Sequence, residues 1–350
     1  MTQSSHDLAD RLQAAGVPVG PVQPVEPESP WFVKTLLALS GWLASLFILG
    51  FLGLALESVV REAGGASVVG VICLVCAYGL FRLAGNDFVE HLGLAVSLAG
   101  QLLIAWALSD QLNFDLNSLF WAALCAIQLF LAIAMPNFIH RVVTMGFACL
   151  AFGVAMYMSG WLASPAGVPL LALVVLWLNE FRVPRWARAF QALGYGLALG
   201  VVIIGLFLRF GWADEIWPSQ IPQWTTWVDN GIALLALVLL LVAIFQRVDW
   251  QVDSKVITLA FFASIGIGLL SLEIVGLVPA VVLLVLGFAV SNRLLMGLGI
   301  AASLLAVSSY YYWLEVTLLI KAATLFGLGA VLLLVRWALV RWLGREVNDA

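Results

Sequence analysis

Residues 116–161 read LNSLFWAALCAIQLFLAIAMPNFIHRVVTMGFACLAFGVAMYMSGW. An apolar run, Leu116–Met135, ends at Pro136-Asn137-Phe138-Ile139-His140-Arg141, and a second run climbs away through Met145-Gly146-Phe147-Ala148. Each run is long enough to cross the hydrocarbon core of a bilayer, which takes roughly 20 residues of helix. The polar stretch between them is only long enough to reverse direction. The unit is a transmembrane helical hairpin with an Asn/Arg turn.

Outward from this hairpin the same length criterion gives about twelve spans. They are Leu36–Leu56, Ala66–Leu83, Phe88–Leu108, Leu116–Met135, Val142–Leu162, Pro169–Phe181, Ala189–Leu208, Val228–Gln246, Lys255–Ser271, Val275–Val290, Leu294–Tyr310 and Val316–Val340. The predicted fold class is all-α, a polytopic transmembrane bundle built from repeated hairpins, over residues 31–343. A cytoplasmic tail, 1–30, precedes it and a short one, 344–350, follows. In the first tail, Leu8, Leu12 and Ala15 fall on one face of a possible amphipathic helix, and prolines from Pro18 to Pro30 at every third residue favour an extended linker. Met1–Pro30 lacks the basic-then-apolar order of a cleavable signal peptide, so the first span is expected to serve as an uncleaved signal.

Composition agrees. The chain is 63% hydrophobic and 10% charged, against roughly 45–50% and about 25% in a soluble domain. A net charge of −4 and no basic stripe exclude nucleic acid as a partner. Cys73, Cys76, Cys125 and Cys149 all sit in apolar runs and read as reduced, buried small hydrophobes.

Basic residues set the threading. With the N-terminus inside, thirteen of the sixteen Lys and Arg fall on the cytoplasmic side, Arg61 and Arg209 fall outside, and Lys321 lies within a span. The expected location is a bacterial inner membrane with both termini cytoplasmic. The cluster Arg182, Arg185, Arg188 fixes topology and touches anionic lipid.

The hairpin recurs. Turns carry Asn86-Asp87, Asn137 with Arg141, Asn179-Glu180-Phe181-Arg182 and Ser291-Asn292-Arg293. The helices leaving them carry Gly93-Leu94-Ala95, Gly146-Phe147-Ala148, Gly194-Tyr195-Gly196-Leu197-Ala198 and Gly297-Leu298-Gly299. A period of about fifty residues is a repeat signature, although apolar helices rich in small residues resemble one another without duplication. Gly167-Val168-Pro169 and Gly276-Leu277-Val278-Pro279 each open a run, with proline in the first turn where its missing N–H costs nothing. Gly93/Ser97/Gln101, Gly196/Gly200 and Gly297/Ala301 line up at i, i+4 as surfaces for close helix packing or as a path for a substrate.

The layout, the Gly-Leu-Ala helix starts and the Ser97-Leu98-Ala99-Gly100-Gln101 run resemble the bacterial domain-of-unknown-function family forty-four oh-one. The resemblance covers the chain from the first span to the last. It implies an inner-membrane protein and carries over no catalytic residues.

No nucleotide-binding, metalloprotease or serine-hydrolase motif is present, so no catalytic set, metal set or cofactor is read from the sequence. His6, His91 and His140 do not make a metal set. Polar groups inside spans are the candidates, because they are costly there. Lys321 either snorkels to the outer surface or pairs with Glu315 or Glu273 to gate a path or bind an anionic head group. Gln101 and Gln128, mid-span, bond between helices or touch a polar substrate. The outer connection Arg209–Asp229 holds Trp212, Trp217, Trp224 and Trp227, an aromatic belt or a lid over a lipid- or sugar-binding face. Nine acids, Asp229 among them, face outward by this threading.

Two function classes follow: a non-enzymatic membrane component, transporter-like or a subunit of an envelope complex, and a membrane enzyme acting on a lipid-linked substrate. Membrane lipids and other inner-membrane subunits are the expected partners. The threading is tested by a cysteine placed at Arg185, which should react with a membrane-impermeant maleimide only after the inner membrane is opened. Labelling from the periplasmic side would reverse every assignment of inside and outside.

Overall fold

In a computed structural model the protein is described over residues 53–83, 87–161, 165–182, 184–209, 224–247 and 254–313, with Phe51, Pro222 and isolated helical positions near either end. All regular structure among the described residues is helical. Lipid offers a backbone N–H or C=O no partner, so a chain this apolar must pair its polar groups within each segment.

Among the described residues ten main helices follow a one-turn helix at Glu57–Val60: α1 (Ala63–Leu83), α2 (Asp87–Gln111), α3 (Ser118–Ala134), α4 (Phe138–Met158), α5 (Gly167–Leu178), α6 (Ala187–Arg209), α7 (Trp224–Arg247), α8 (Ser254–Glu273), α9 (Leu277–Ala289) and α10 (Arg293–Trp313). Seven are long and apolar enough to cross a membrane: α1, α2, α4, α6, α7, α8 and α10. The other three, α3, α5 and α9, have 17, 12 and 13 residues. They lie at the spans expected at Leu116–Met135, Pro169–Phe181 and Val275–Val290, each shorter than expected. At 1.5 Å per residue, α5 and α9 reach only about 18–20 Å, short of a ~30 Å core. The first and last expected spans lie largely outside the described residues, as do both tails.

Consecutive helices touch, α1 with α2, α3 with α4, α5 with α6, α7 with α8 and α9 with α10, and α4 also packs extensively on α6 and α5 on α7. Asparagines set several of the turns. Asn117 accepts from Leu119 N–H (3.0 Å) and Phe120 N–H (3.1 Å) to start α3. Asn137 accepts from His140 N–H at 2.9 Å to start α4. Asn292 accepts from Leu294 and Leu295 N–H to start α10. Each satisfies donors that have no partner in the first helical turn. The Asn292 amide also donates to the Tyr195 hydroxyl on α6 at 2.7 Å, and the Tyr195 ring meets Trp177 of α5 edge-on at 5.2 Å.

The core lies around the two short helices. Leu170, Leu173 and Val174 of α5 and Val278, Val282, Leu283 and Leu286 of α9 are fully buried, packed with Ala198 and Ile204 of α6 and Leu237 and Leu240 of α7. The rim is the reverse: Val68, Ile72 and Val75 of α1 and Leu259, Phe262, Ile265 and Leu269 of α8 are all exposed. Such apolar faces would associate in water and are stable against lipid tails. Because α1 lies on this rim, Cys76 is exposed and Cys73 only half-buried, contrary to the expectation that all four cysteines are buried; Cys149 alone is.

Close packing uses Gly196 and Gly200. A Cβ on Gly196 would stand 2.5 Å from the Met145 Cβ and 2.7 Å from the Val142 carbonyl, and one on Gly200 would strike Cys149, so α6 lies directly against α4. Gly297 meets nothing and Ala301 is exposed; on α10 it is Gly299 that approaches α9, at Leu284. Gly196→Val should therefore destabilise the purified protein by on the order of 1–3 kcal/mol, read as a lower unfolding midpoint in detergent, while Gly297→Val should leave it unchanged.

Candidate functional site

Among the described residues two clusters of buried polar side chains draw on three or more helices; the buried Glu180, which accepts from the Gln191 amide at 2.6 Å, stands apart from both. The first joins α2, α3 and α4. Ser97 and Gln101 lie one turn apart on α2, and the side chain of His140, in the first turn of α4, reaches both. The Ser97 hydroxyl is 2.7 Å from His140 Nε2 and the Gln101 amide nitrogen 3.3 Å from it. That amide also donates to Ser97 Oγ at 3.1 Å, and Gln101 Oε1 accepts from the Gln128 amide of α3 at 2.9 Å. An amide nitrogen only donates, so this set assigns His140 Nε2 as the acceptor and leaves the ring proton on Nδ1. His140 Nδ1 and Gln128 Oε1 are buried with no hydrogen-bond partner. Phe81 of α1 closes the ring edge-on at 5.5 Å.

The second group surrounds a cavity of about 60 Å³ among α5, α6, α7, α8, α9 and α10. It exists because the two short helices stop early. Asp229 of α7 accepts the Gly167 N–H at 2.8 Å, and the Ala166 N–H is also directed to its carboxylate, so Asp229 is level with the first residue of α5. Helix α7 runs five residues further, about 7 Å, to Trp224. Gly276, the residue before α9, faces Ala306, and α10 continues past that point to Trp313. The recess so formed is lined by Thr226, Asp229, Asn230, Ser271 and Ser309 among apolar residues including Val201, Pro279 and Leu283. Asn230 Nδ2 and Ser271 Oγ have no hydrogen-bond partner there, and Ser271 is 2% exposed.

Gly167 makes the Asp229 contact possible. A Cβ there would lie 2.7 Å from the Asp229 carbonyl and 2.8 Å from its Oδ1. Neither Ala166 nor Gly276 offers a side chain to cap its helix. Asp229 does so for α5 from 62 residues away; α9 has no side-chain cap, and Gly276 turns into it at φ +90°.

Of the residues singled out in the sequence, the structure joins Gln101 and Gln128 directly. Glu273 is exposed at the end of α8 and does not line the cavity. Trp224 and Trp227 belong to the first turn of α7, not to the connection before it, and are 58% and 67% exposed. Lys321, Glu315, Trp212 and Trp217 lie outside the described residues. Sequence reasoning missed His140, set aside with the other histidines, and Asp229, counted among the outward acids. The available signals were the Ser97–Gln101 register and an Asp229-Asn230 pair directly ahead of an unbroken apolar run. Among the described residues no three His, Cys, Asp or Glu gather as metal ligands.

The family description "Domain of unknown function (DUF4401)" matches residues 30–342. The chain belongs to this family. No curated protein and no solved structure matches it. The matched residues include both polar groups.

Gln101 connects Ser97, Gln128 and His140, whereas Gln128 has Gln101 alone. Gln101→Leu should accordingly lower stability by about 1–2 kcal/mol and Gln128→Leu by about 0.6 kcal/mol, measured by denaturant unfolding in detergent. Equal losses would show that the three helices do not depend on this junction.

Proposed function

We propose that this protein is a transporter-like component of a bacterial inner membrane, a bundle of about twelve helical segments arranged as hairpins, two of them, α5 and α9, too short to cross the core by themselves, with both termini cytoplasmic. The observation that supports it is the recess where α5 and α9 stop inside the bundle beside Asp229. Buried short helices whose ends meet a polar cavity are how membrane proteins expose backbone dipoles and a charged side chain to a solute without exposing them to lipid. Asp229 and Arg247 stand at opposite ends of α7. By the arginine bias the cavity then opens toward the periplasm and Arg247 faces the cytoplasm.

An enzyme acting on lipid-linked substrates would call for paired acids at a groove, one to donate and one to accept a proton. Among the described residues a single carboxylate, Asp229, lines the cavity. That favours binding and passage over catalysis.

Alternating exposure is the property that separates a transporter from a structural subunit. With native cysteines replaced, Ser271→Cys should react with a small charged thiosulfonate from the periplasmic face of spheroplasts and from the cytoplasmic face of inverted vesicles. Reaction from one face only, in both preparations, would remove transport and leave a one-sided binding or structural role.

A further inference from the structure

We infer that the Asp229 cavity binds a small zwitterion, of the size and charge pattern of the simplest amino acids. This rests on the reading of the cavity as a solute site and adds the class of solute.

Charge comes first. Asp229 supplies a carboxylate on one wall. The Asn230 amide nitrogen, which lines the same cavity without a partner, supplies a donor. A simple cation would meet the carboxylate and leave that donor unpaired; a simple anion would accept from the donor and be repelled by the carboxylate. A molecule with an ammonium at one end and a carboxylate at the other satisfies both.

Hydrogen bonding points the same way. Asn230 Nδ2 needs an acceptor, the Asp229 carboxylate accepts, and Ser271 Oγ can do either. Both Asn230 Nδ2 and Ser271 Oγ are without a partner, and a buried polar group in that condition costs about 1–3 kcal/mol. An occupant must therefore both donate and accept within one small volume. Size closes the argument. The cavity of about 60 Å³ holds on the order of four to six water-sized positions, matching the handful of heavy atoms in the smallest zwitterions. Its remaining lining, including Val201 and Leu283, is apolar and suits a methylene or methyl group.

Equilibrium dialysis of the full chain in lipid nanodiscs with radiolabelled glycine tests this. Saturable binding is expected, with Ser271→Ala weakening it three- to tenfold and Asp229→Asn at least tenfold. Methylammonium and acetate, each carrying one of the two charges, should not displace glycine at equal concentration. Ser271 takes no part in capping α5, so its variant remains informative if Asp229→Asn does not fold. Absence of saturable glycine binding, unchanged affinity in Ser271→Ala, or equal competition by methylammonium or acetate overturns the inference. Glycine binding with one-sided Ser271→Cys labelling would keep this site and discard transport. Two-sided labelling without glycine binding would do the opposite.

Discussion

A helix that begins inside the bundle leaves first-turn N–H groups in need of an acceptor, and the carboxylate of Asp229 meets that need for α5. The contact at Gly167, 2.8 Å long, fixes where α5 begins, and the absence of a side chain at Gly167 lets α7 come close enough to make it. Shift either partner and the short helix loses its stop. The cavity is a consequence of that stop, since the flanking helices α7 and α10 continue where α5 and α9 do not.

The same constraint explains why buried polar residues occur in junctions here. Ser97, Gln101, Gln128 and His140 bond to one another across three helices. Between apolar helices in lipid no hydrophobic force selects a partner, so hydrogen bonds and close glycine contacts do the selecting. Gly196 and Gly200 set α6 against α4, and the His140 group sets α4 against α2 and α3. The two polar groups are unlike in one respect. Each leaves two polar atoms without a partner, but around His140 these belong to side chains that bond through another atom, while Asn230 Nδ2 and Ser271 Oγ line a cavity.

Several turn residues were readable from sequence because their physics is local. Asn137 and Asn292 stand where a helix must start, and each caps its own helix within three residues. Gly-x-Pro and Gly-x-x-Pro openings at Gly167 and Gly276 likewise mark the starts of α5 and α9. Their shortness was less legible. Apolar residues continue past both ends of these runs, and only packing shows where the hydrogen-bonded helix stops. Glycine spacing misled at Gly297, whose face is open, because small residues at i, i+4 permit a close approach without naming the helix that makes it.

By itself the sequence determined that this is a chain of membrane-type apolar helices and where most of the described ones run, since run length and apolar content are properties of contiguous residues. Tertiary structure decided which polar groups meet: Asp229 with Gly167, Gln128 with Gln101, and Gln101 with His140, the last 39 positions apart. Such partners are chosen by how helices lie against one another, and that depends on side chains from several segments at once. An aspartate at the head of an apolar run looks like a surface acid until the helix beside it is seen to end.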